Sequence, residues 1–314
     1  MEEGHRPVLA EEVVKMLAPR PGSLHVDCTV GGGGHTERIL EAASPDGRVL
    51  GLDADPAAIA RVGKRLARFG DRLVLRQANF RTVGVVAPAA GFGAVDGVLL
   101  DLGLSSFQLA DTRRGFGFRA GGPLDMRFDP TRGEPAAALL RRLDEGALAD
   151  LFRRHGEEPR AWQIARAIVE ARRTAPLETA EELAALVERV VPRRPGPRGR
   201  IHPATRVFQA LRIAVNEELD ALAAALVAAL DLLRPGGRLV VLSYHSLEDR
   251  LVKRFVAAER RGCTCPPSFP VCICGRVPRL RAVGPQPAVP SEDEVAANPR
   301  ARSARLRTAE RLAA

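Results

Sequence analysis

The sequence predicts an α/β fold in which a parallel sheet carries an inserted all-helical domain. In the first hundred residues, short apolar runs alternate with helical patterns, which is typical of consecutive βα units. Pro203 lies 102 positions after Asp101, and helical patterns dominate between them, a distance far greater than the ~2–6 residues of an ordinary βα connection. We therefore expect a core formed by residues 1–112 and 208–314, with a Cys-rich and basic tail, and a helical insertion at 113–207.

Short runs of β-branched and aliphatic residues predict the strands of this sheet. They lie at Leu24–Cys28, Arg48–Leu52, Arg72–Arg76, Val95–Leu100 and, after a Pro-Gly-Gly turn, Arg238–Ser243. Apolar residues at helical spacing predict helices before and between the first strands. They lie at Pro7–Leu17, His35–Ala43 and Pro56–Phe69, the last of which begins with Asp55-Pro56, a favoured cap and first turn.

The helical insertion follows a loop rich in Gly, Arg and Phe. Its predicted helices are Gly146–Arg154, Glu158–Arg173 and Thr179–Val191. A linker at Pro192–Arg200 then precedes a long helix from Pro203 to about Leu233, with a bend near Asn216. The chain after Gly275 shows no clear periodicity.

The composition is that of a globular protein, with 46% hydrophobic and 27% charged residues, and it excludes disorder or a fibre. No apolar run approaches the ~18 residues that span a bilayer, so no membrane partner is expected. The first residues lack a basic segment followed by an apolar stretch, so we expect a cytoplasmic protein.

The charge balance indicates a polyanionic partner. The net charge is +9, and only three of the 47 basic residues are lysines. Guanidinium groups pair with phosphates through two hydrogen bonds. Six arginines and no acidic residue lie between Pro192 and Val215, which suggests a track for an RNA backbone. A GC-rich genome, which encodes Arg in place of Lys, explains the composition equally well.

A glycine-rich loop predicts a nucleoside cofactor site. Gly31–Gly34 lies where the first strand turns into a helix, so backbone N–H groups can approach a ligand closely. Asp53 ends the second strand, 22 residues after Gly31, where a carboxylate can accept both ribose hydroxyl hydrogens. A tight turn without a ligand is the alternative for the loop alone.

The spacing favours S-adenosylmethionine over a dinucleotide. The dinucleotide pattern G-x-G-x-x-G, begun at Gly31, would end at Thr36. The methyltransferase-like pattern acid-x-G-x-G-x-G begins at Asp27 and fits except that Thr29 replaces the first glycine. S-adenosylmethionine has no pyrophosphate, so Asp27 is tolerated and can hold its amino group. NAD is the weaker alternative.

Two further residues follow strands of the predicted sheet. Phe80 comes after the third strand, where its ring can meet the face of an adenine. Asp101 ends the fourth strand, at the edge where open α/β sheets bind ligands. Ordinary structural roles, a core Phe and a capping Asp, are the alternatives.

Four of the five cysteines form a compact group in the sequence, at Cys263, Cys265, Cys272 and Cys274. Zinc sites usually have C-x₂₋₄-C spacing, whereas these pairs are C-x-C. Disulfides are not expected in the cytosol. We therefore expect a reduced loop and no metal, with a zinc site as the alternative that stays open.

The chain resembles the ribosomal RNA small subunit methyltransferase H family, also called MraW-like, over nearly its whole length. The motifs that carry the resemblance are HRPVL at 5–9, LDLGLSSFQL at 100–109, RGF at 114–116, GPLDMR at 122–127, HPATR at 202–206, SYHSLEDR at 243–250 and NPRARS at 298–303. The resemblance implies a class I, Rossmann-like methyltransferase sheet with a helical insertion. It also implies transfer of a methyl group from S-adenosylmethionine to N4 of a cytosine in the decoding region of 16S rRNA. The implied partner is 16S rRNA in the small ribosomal subunit, not DNA, and a homo-oligomer stays open.

The resemblance also implies a set of cofactor-binding residues. They are Gly33, Gly34, His35, Asp53, Phe80, Asp101 and Gln108. One departure is that Phe107 stands where the family usually has Pro.

We expect the catalytic residues after the fourth strand. Amino methyltransferases commonly carry an Asp/Asn/Ser-Pro-Pro-aromatic segment there, and Asp101-Leu102-Gly103-Leu104 occupies that place. Asp101, or Ser105 or Ser106 beside it, is predicted to accept the N–H of the cytosine amino group. Asp125, two residues before Arg127, is predicted to lie on a loop that closes over the base, with a structural Asp–Arg pair as the alternative. From the residues alone, a DNA or protein acceptor and a binding protein without activity stay open.

Overall fold

The computed structural model describes residues 7–118, 121–192, 202–261, 263–266 and 268–313. The chain forms two compact units, a sheet unit of Met1–Gly103 with Leu219–Ala314 and a helical unit of Leu104–Glu218. An α/β sheet with an inserted helical region is therefore confirmed. The domain limits predicted from the sequence, 1–112, 113–207 and 208–314, stay a prediction.

Seven strands form the sheet of the sheet unit. They are β1 (Leu24–Asp27), β2 (Arg48–Asp53), β3 (Leu73–Gln77), β4 (Val95–Asp101), β5 (Leu233–Ser243), β6 (Leu280–Ala282) and β7 (Arg305–Arg311). Their order across the sheet is β3-β2-β1-β4-β5-β7-β6. The first five pair in parallel, and β7 runs antiparallel to both of its neighbours. The carboxyl ends of β2, β1 and β4 therefore lie side by side.

Helices cover both faces of this sheet. They are α1 (Ala10–Leu17), α2 (Gly34–Ala42), α3 (Pro56–Arg65), α4 (Val83–Ala89), α11 (Glu218–Leu232), α12 (Ser246–Arg261) and α13 (Glu292–Ala297). Val98 of β4 belongs to a core cluster with Leu222 of α11, whereas its neighbour Leu99 clusters with Val13 of α1. Successive strand residues thus point into two apolar layers, which explains why the parallel strands are almost continuously apolar.

The helical unit has its own apolar core. Its helices are α5 (Ser106–Ala110), α6 (Ala136–Arg142), α7 (Glu145–Gly156), α8 (Ala161–Ala171), α9 (Ala180–Val190) and α10 (Thr205–Asn216). Phe152, Ile164, Leu183 and Leu211 are completely buried where these helices pack. Within the described ranges, no helix of either unit is long and apolar enough to cross a membrane.

The predicted long helix is two helices. Glu217 adopts a left-handed conformation with φ 50°, which ends α10 at Asn216 before α11 begins. The bend expected near Asn216 is therefore a complete break of the helix.

The segment after Gly275, which shows no periodicity in the sequence, contains β6, α13 and β7. The strand β7 was missed because two of its inward positions carry charge. Arg307 and Glu310 are both buried, so the apolar alternation on which strand prediction depends is interrupted.

A buried ion pair allows Arg307 to lie inside the sheet unit. Its guanidinium donates to both oxygens of Asp249 on α12, at 2.7 and 3.2 Å. Burial opposes ionisation of Asp249, but the hydrogen bonds and charge of Arg307 outweigh it and lower the pKa of this carboxyl. Arg305, which is more than half exposed, donates to the same carboxylate at 3.3 Å.

The two arginines provide a matched test of this ion pair. Arg307→Ala is expected to lower the free energy of unfolding by about 3 kcal/mol, because it leaves a buried carboxylate without its main partner. Arg305→Ala is expected to lower it by less than about 1 kcal/mol, since that pair is exposed. Urea denaturation followed by circular dichroism measures both, and equal losses would contradict the assignment.

Candidate active site

The glycine-rich loop joins β1 to α2. Gly31 and Gly33 have φ of 53° and 81°, values that favour glycine over any residue with a Cβ. Gly33 also caps α2, which begins at Gly34. The first turn of a helix leaves N–H groups without helical partners, so this loop presents donors at the sheet edge.

Asp27 organises this loop from the end of β1. The Thr36 hydroxyl donates to Asp27 Oδ2 at 2.6 Å, and the Thr29 N–H donates to Oδ1 at 3.1 Å. Asp27 is 1% exposed, and burial raises the pKa of its carboxyl. Both oxygens of Asp27 thus help to fix the loop, and the contact that we expected between Asp27 and the amino group of the cofactor stays a prediction.

Asp53 connects the same loop to the end of β2. Its Oδ2 accepts the Gly31 N–H at 2.8 Å, and its Oδ1 accepts the Asp55 N–H at 2.8 Å. Burial raises the pKa of Asp53 to about 6, although these hydrogen bonds favour the ionised form. The predicted ribose-binding carboxylate is therefore held in a fixed orientation beside the glycines.

Asp101 lies at the end of β4 and is bonded on two sides. Its backbone N–H donates to the Thr29 hydroxyl at 2.7 Å, and its Oδ1 accepts the Tyr244 hydroxyl at 2.8 Å. His35 Nε2 lies 3.5 Å from Asp101 Oδ2. Three of the predicted site residues, His35, Asp53 and Asp101, thus lie around one loop.

Tyr244 is a site residue that our sequence reasoning missed. Burial, followed by the neighbouring Asp101 carboxylate, raises the pKa of Tyr244 well above its ordinary value, so the phenol stays a hydrogen-bond donor. Glu248 Oε2 accepts the Tyr244 N–H at 2.9 Å and fixes the backbone there. The available signal was its position directly after β5, the strand that pairs with β4.

His35 and Phe80 leave room for a ligand in different ways. His35 is 6% exposed, and neither ring nitrogen has a hydrogen-bond partner within the described part of the chain. Phe80 begins a short 3₁₀ turn after β3 and is only partly buried. Asn79 caps this turn by accepting the Arg81 N–H at 3.0 Å. A buried imidazole without a hydrogen-bond partner in the described part of the chain and a partly exposed aromatic ring suit the polar and the aromatic parts of a nucleoside cofactor.

The electrostatics of the site discriminate between the two cofactors considered from the sequence. Asp53, Asp27 and Asp101 end three adjacent strands. Neighbouring carboxylates among them lie close enough for the charge of one to raise the pKa of the next. Asp101 contributes to the raised pKa of Asp27, and Asp27 contributes to that of Asp53. Such a site favours a positively charged sulfonium over a pyrophosphate, so these residues suit S-adenosylmethionine better than NAD.

Ser105 and Gln108 belong to the helical unit and have a local role there. The Ser105 hydroxyl accepts the Gln108 N–H at 3.2 Å, and Gln108 Oε1 accepts the Ser105 N–H at 3.0 Å. This capping box begins α5 directly after Leu104. The catalytic role of Ser105 and the cofactor contact of Gln108 stay predictions.

Asp125 forms a two-pronged ion pair within the helical unit. Arg127 donates from Nε at 2.8 Å and from Nη2 at 2.7 Å. Burial opposes ionisation of Asp125, but the Arg127 hydrogen bonds outweigh it and lower the pKa of Asp125. A carboxyl with a lowered pKa is a weak base, so the geometry resembles the structural alternative that we considered. The catalytic role of Asp125 stays a prediction.

Polar residues of α10 hold the loop that carries Asp125. Asn216 accepts the Phe128 N–H at 2.7 Å and donates to the Met126 carbonyl at 2.8 Å. Arg212 pairs with Glu218 at 2.7 Å. Asn216 and Arg212 thus make their hydrogen bonds inside the helical unit. The arginines predicted to contact RNA at 193, 194, 198 and 200 lie outside the described residues.

The fold and these residues together define a class of enzyme. A parallel sheet in the order 3-2-1-4-5-7-6 with its seventh strand antiparallel, a glycine loop after β1 and a carboxylate ending β2 describe a class I methyltransferase. Enzymes of this class use S-adenosylmethionine as the methyl donor.

The chain belongs to the MraW methylase family, whose profile matches residues 2–312. It is 58% identical over 309 residues to "Ribosomal RNA small subunit methyltransferase H" of Thermomicrobium roseum, covering 98% of this chain and 94% of the relative. It is 51% identical over 309 residues to the protein of the same name from Heliobacterium modesticaldum, covering 98% of each chain. The resemblance inferred from the sequence motifs is therefore confirmed.

The Thr36–Asp27 hydrogen bond can be tested with two substitutions of similar size. Thr36→Val is expected to lower the free energy of unfolding by about 2 kcal/mol, because it removes a donor to a buried carboxylate. Thr36→Ser keeps the donor and is expected to cost less than about 1 kcal/mol. Urea denaturation measures both variants, and an equal cost would show that the hydroxyl is not what holds the loop.

Proposed function

We propose that this enzyme transfers the methyl group of S-adenosylmethionine to N4 of a cytosine in the decoding region of 16S rRNA. The observation that carries this proposal is the identity of 58% over 98% of the chain with a protein named for small-subunit ribosomal RNA methylation. The net charge of +9 supports an RNA partner. The substrate implies action in the cytoplasm, and neither DNA nor a membrane is part of the proposal.

We infer the cofactor contacts from the geometry of the loop. Asp53 accepts the ribose hydroxyls, Gly33 and Gly34 let the backbone approach, His35 supplies a polar ring and Phe80 packs against the adenine. Gln108 is carried over from the family resemblance alone. When bound, S-adenosylmethionine supplies a methyl group on a positively charged sulfur.

We assign to Asp101 the role of orienting the cytosine that accepts the methyl group. The lone pair of a cytosine amino group is delocalised into the ring, so the nitrogen is a weak nucleophile. A carboxylate that accepts an N–H can turn the amino group and direct its lone pair toward the methyl carbon. Tyr244 donates a hydrogen bond to Oδ1 of Asp101, whereas His35 Nε2 stays 3.5 Å from Oδ2 and makes no hydrogen bond there, so Oδ2 is the atom we assign to the amino hydrogen.

Alignment of the reacting atoms supplies most of the remaining catalysis in this proposal. Holding two reactants in line is worth ~7–11 kcal/mol in favourable cases and needs no strong base. The Thr29 hydroxyl and Tyr244 fix Asp101 from its backbone and its side chain, which is the rigidity that such alignment needs. Ser105 and Asp125, which are engaged in a helix cap and an ion pair, are given positioning roles.

The raised pKa of Asp53 predicts how cofactor binding depends on pH. Only the ionised carboxylate accepts both ribose hydroxyls, and its pKa is about 6 without ligand. Affinity should therefore fall as the pH drops through 6, by about tenfold between pH 7.5 and pH 5. Isothermal titration calorimetry with S-adenosylmethionine measures this change.

The control for that titration is Asp53→Asn, which cannot ionise. The variant should bind more weakly at pH 7.5 and lose most of the dependence on pH. Because titration of the cofactor itself affects both proteins equally, the difference between them isolates Asp53. An identical pH dependence in the two proteins would refute the role of Asp53.

Nucleoside mass spectrometry of small-subunit rRNA tests the reaction itself. Cells that lack this chain should lack N4-methylcytidine at the decoding region, and the wild-type chain should restore it. Asp101→Ala should not restore it, and in calorimetry the variant should bind S-adenosylmethionine more weakly than the wild type, because Asp101 is also among the cofactor-binding residues that the resemblance implies. Unchanged N4-methylcytidine in the deleted cells would reject the proposed substrate, and full restoration by Asp101→Ala would reject the role of Asp101.

A further inference from the structure

Four cysteines converge between α12 and β6. The sulfur-to-sulfur distances are 3.5 Å for Cys263–Cys272, 3.5 Å for Cys272–Cys274, 3.8 Å for Cys263–Cys274 and 3.9 Å for Cys265–Cys272. All four sulfur atoms lie within 4.8 Å of one another. The methyl-transfer site uses none of these residues.

These distances are those of a tetrahedron around one ion. Four thiolates at ~2.3 Å from a zinc ion are separated from one another by about 3.8 Å. A disulfide would bring two sulfurs to ~2.05 Å and leave the others apart. The 3.5 Å between Cys272 and Cys274 also shows that a C-x-C pair can direct both sulfurs to one ion. The unusual spacing that led us to expect no metal is therefore no obstacle.

Backbone N–H groups point at two of the sulfurs in a reciprocal arrangement. The Thr264 N–H donates to Cys274 Sγ at 3.4 Å, and the Ile273 N–H donates to Cys265 Sγ at 3.4 Å. Each donor is thus the residue between the cysteines of one pair, and each acceptor belongs to the other pair. Such donors stabilise the negative charge that thiolate ligands carry and orient them.

The segment has little apolar core of its own to hold it together. Its large apolar side chains are exposed, with Val271 69% and Ile273 75% accessible. A chain that buries so little apolar surface needs a cross-link to keep one conformation. The convergence of four sulfurs is the feature of this segment that can supply it.

We propose that Cys263, Cys265, Cys272 and Cys274 bind one Zn²⁺ ion in a closed structural site. Binding displaces the protons of those thiols that are protonated, so zinc uptake releases protons to solvent. Four protein ligands leave no open position for a substrate. The 16 residues of α12 separate this site from Tyr244, a helix length of about 24 Å, so the ion acts on the loop and not on methyl transfer.

Elemental analysis of the full chain tests this site. Protein purified from zinc-supplemented cells should contain about one zinc ion per chain. The variant with all four cysteines changed to Ser should contain none, whereas Cys28→Ala should keep its zinc because Cys28 is buried at the end of β1. After chelation and denaturation, all five cysteines of the wild type should react as free thiols.

Cobalt keeps the proposal testable if the four-Ser variant fails to fold. The wild-type chain depleted of zinc and loaded with Co²⁺ should show the intense thiolate-to-cobalt charge-transfer band of a tetrahedral tetrathiolate site. Zinc below about 0.1 equivalents with no such band would overturn the proposal. Iron in place of zinc would overturn the proposal as well, since the site would then hold another metal. Only one or three reactive thiols would also overturn it, since disulfides would then explain the convergence of the sulfurs.

Discussion

Three aspartates at the ends of adjacent parallel strands hold the loops on which the site depends, two through their carboxylates and Asp101 through its backbone. Asp27 binds the loop through Thr29 and Thr36, and Asp53 binds it through the Gly31 N–H. Asp101 is bonded in turn to the Thr29 hydroxyl through its backbone. The order β2-β1-β4 in the sheet is what brings these three carboxylates together, so the architecture and the site have one physical origin.

Burying carboxylates beside one another is unfavourable for their charged forms when no ligand is bound. The raised pKa values of Asp27 and Asp53 record that burial and mutual repulsion oppose their ionised forms. A cationic ligand relieves this repulsion, and any ligand that binds only the folded state stabilises it. The site therefore gains affinity for a sulfonium from the same arrangement that raises the pKa values of Asp27 and Asp53.

The sequence could predict those parts of the site that depend on position along a strand. Asp53 and Asp101 were found because the carboxyl ends of parallel strands meet at one edge, and the glycine loop because it follows the first strand. Contacts between distant residues could not be predicted in this way. Tyr244 bonds Asp101 across 143 residues, and Arg307 pairs with Asp249 across 58, so neither partner shows in a local pattern. The spacing of Ser105 and Gln108 in the sequence fits a capping box. Because Ser105 follows Asp101 so closely in the sequence, we interpreted it as a catalytic residue instead.

The strand β7 has a consequence for biosynthesis. It comes last of the seven along the chain, yet it lies between β5 and β6 and pairs with both. While the polypeptide emerges, one side of β5 therefore has unsatisfied backbone groups beside apolar residues until 305–311 are made. Such an edge invites association with other nascent chains or capture by a chaperone. A product that stops short of residue 305 would keep this edge of β5 unpaired, so we expect it to aggregate more readily than the chain that includes β7.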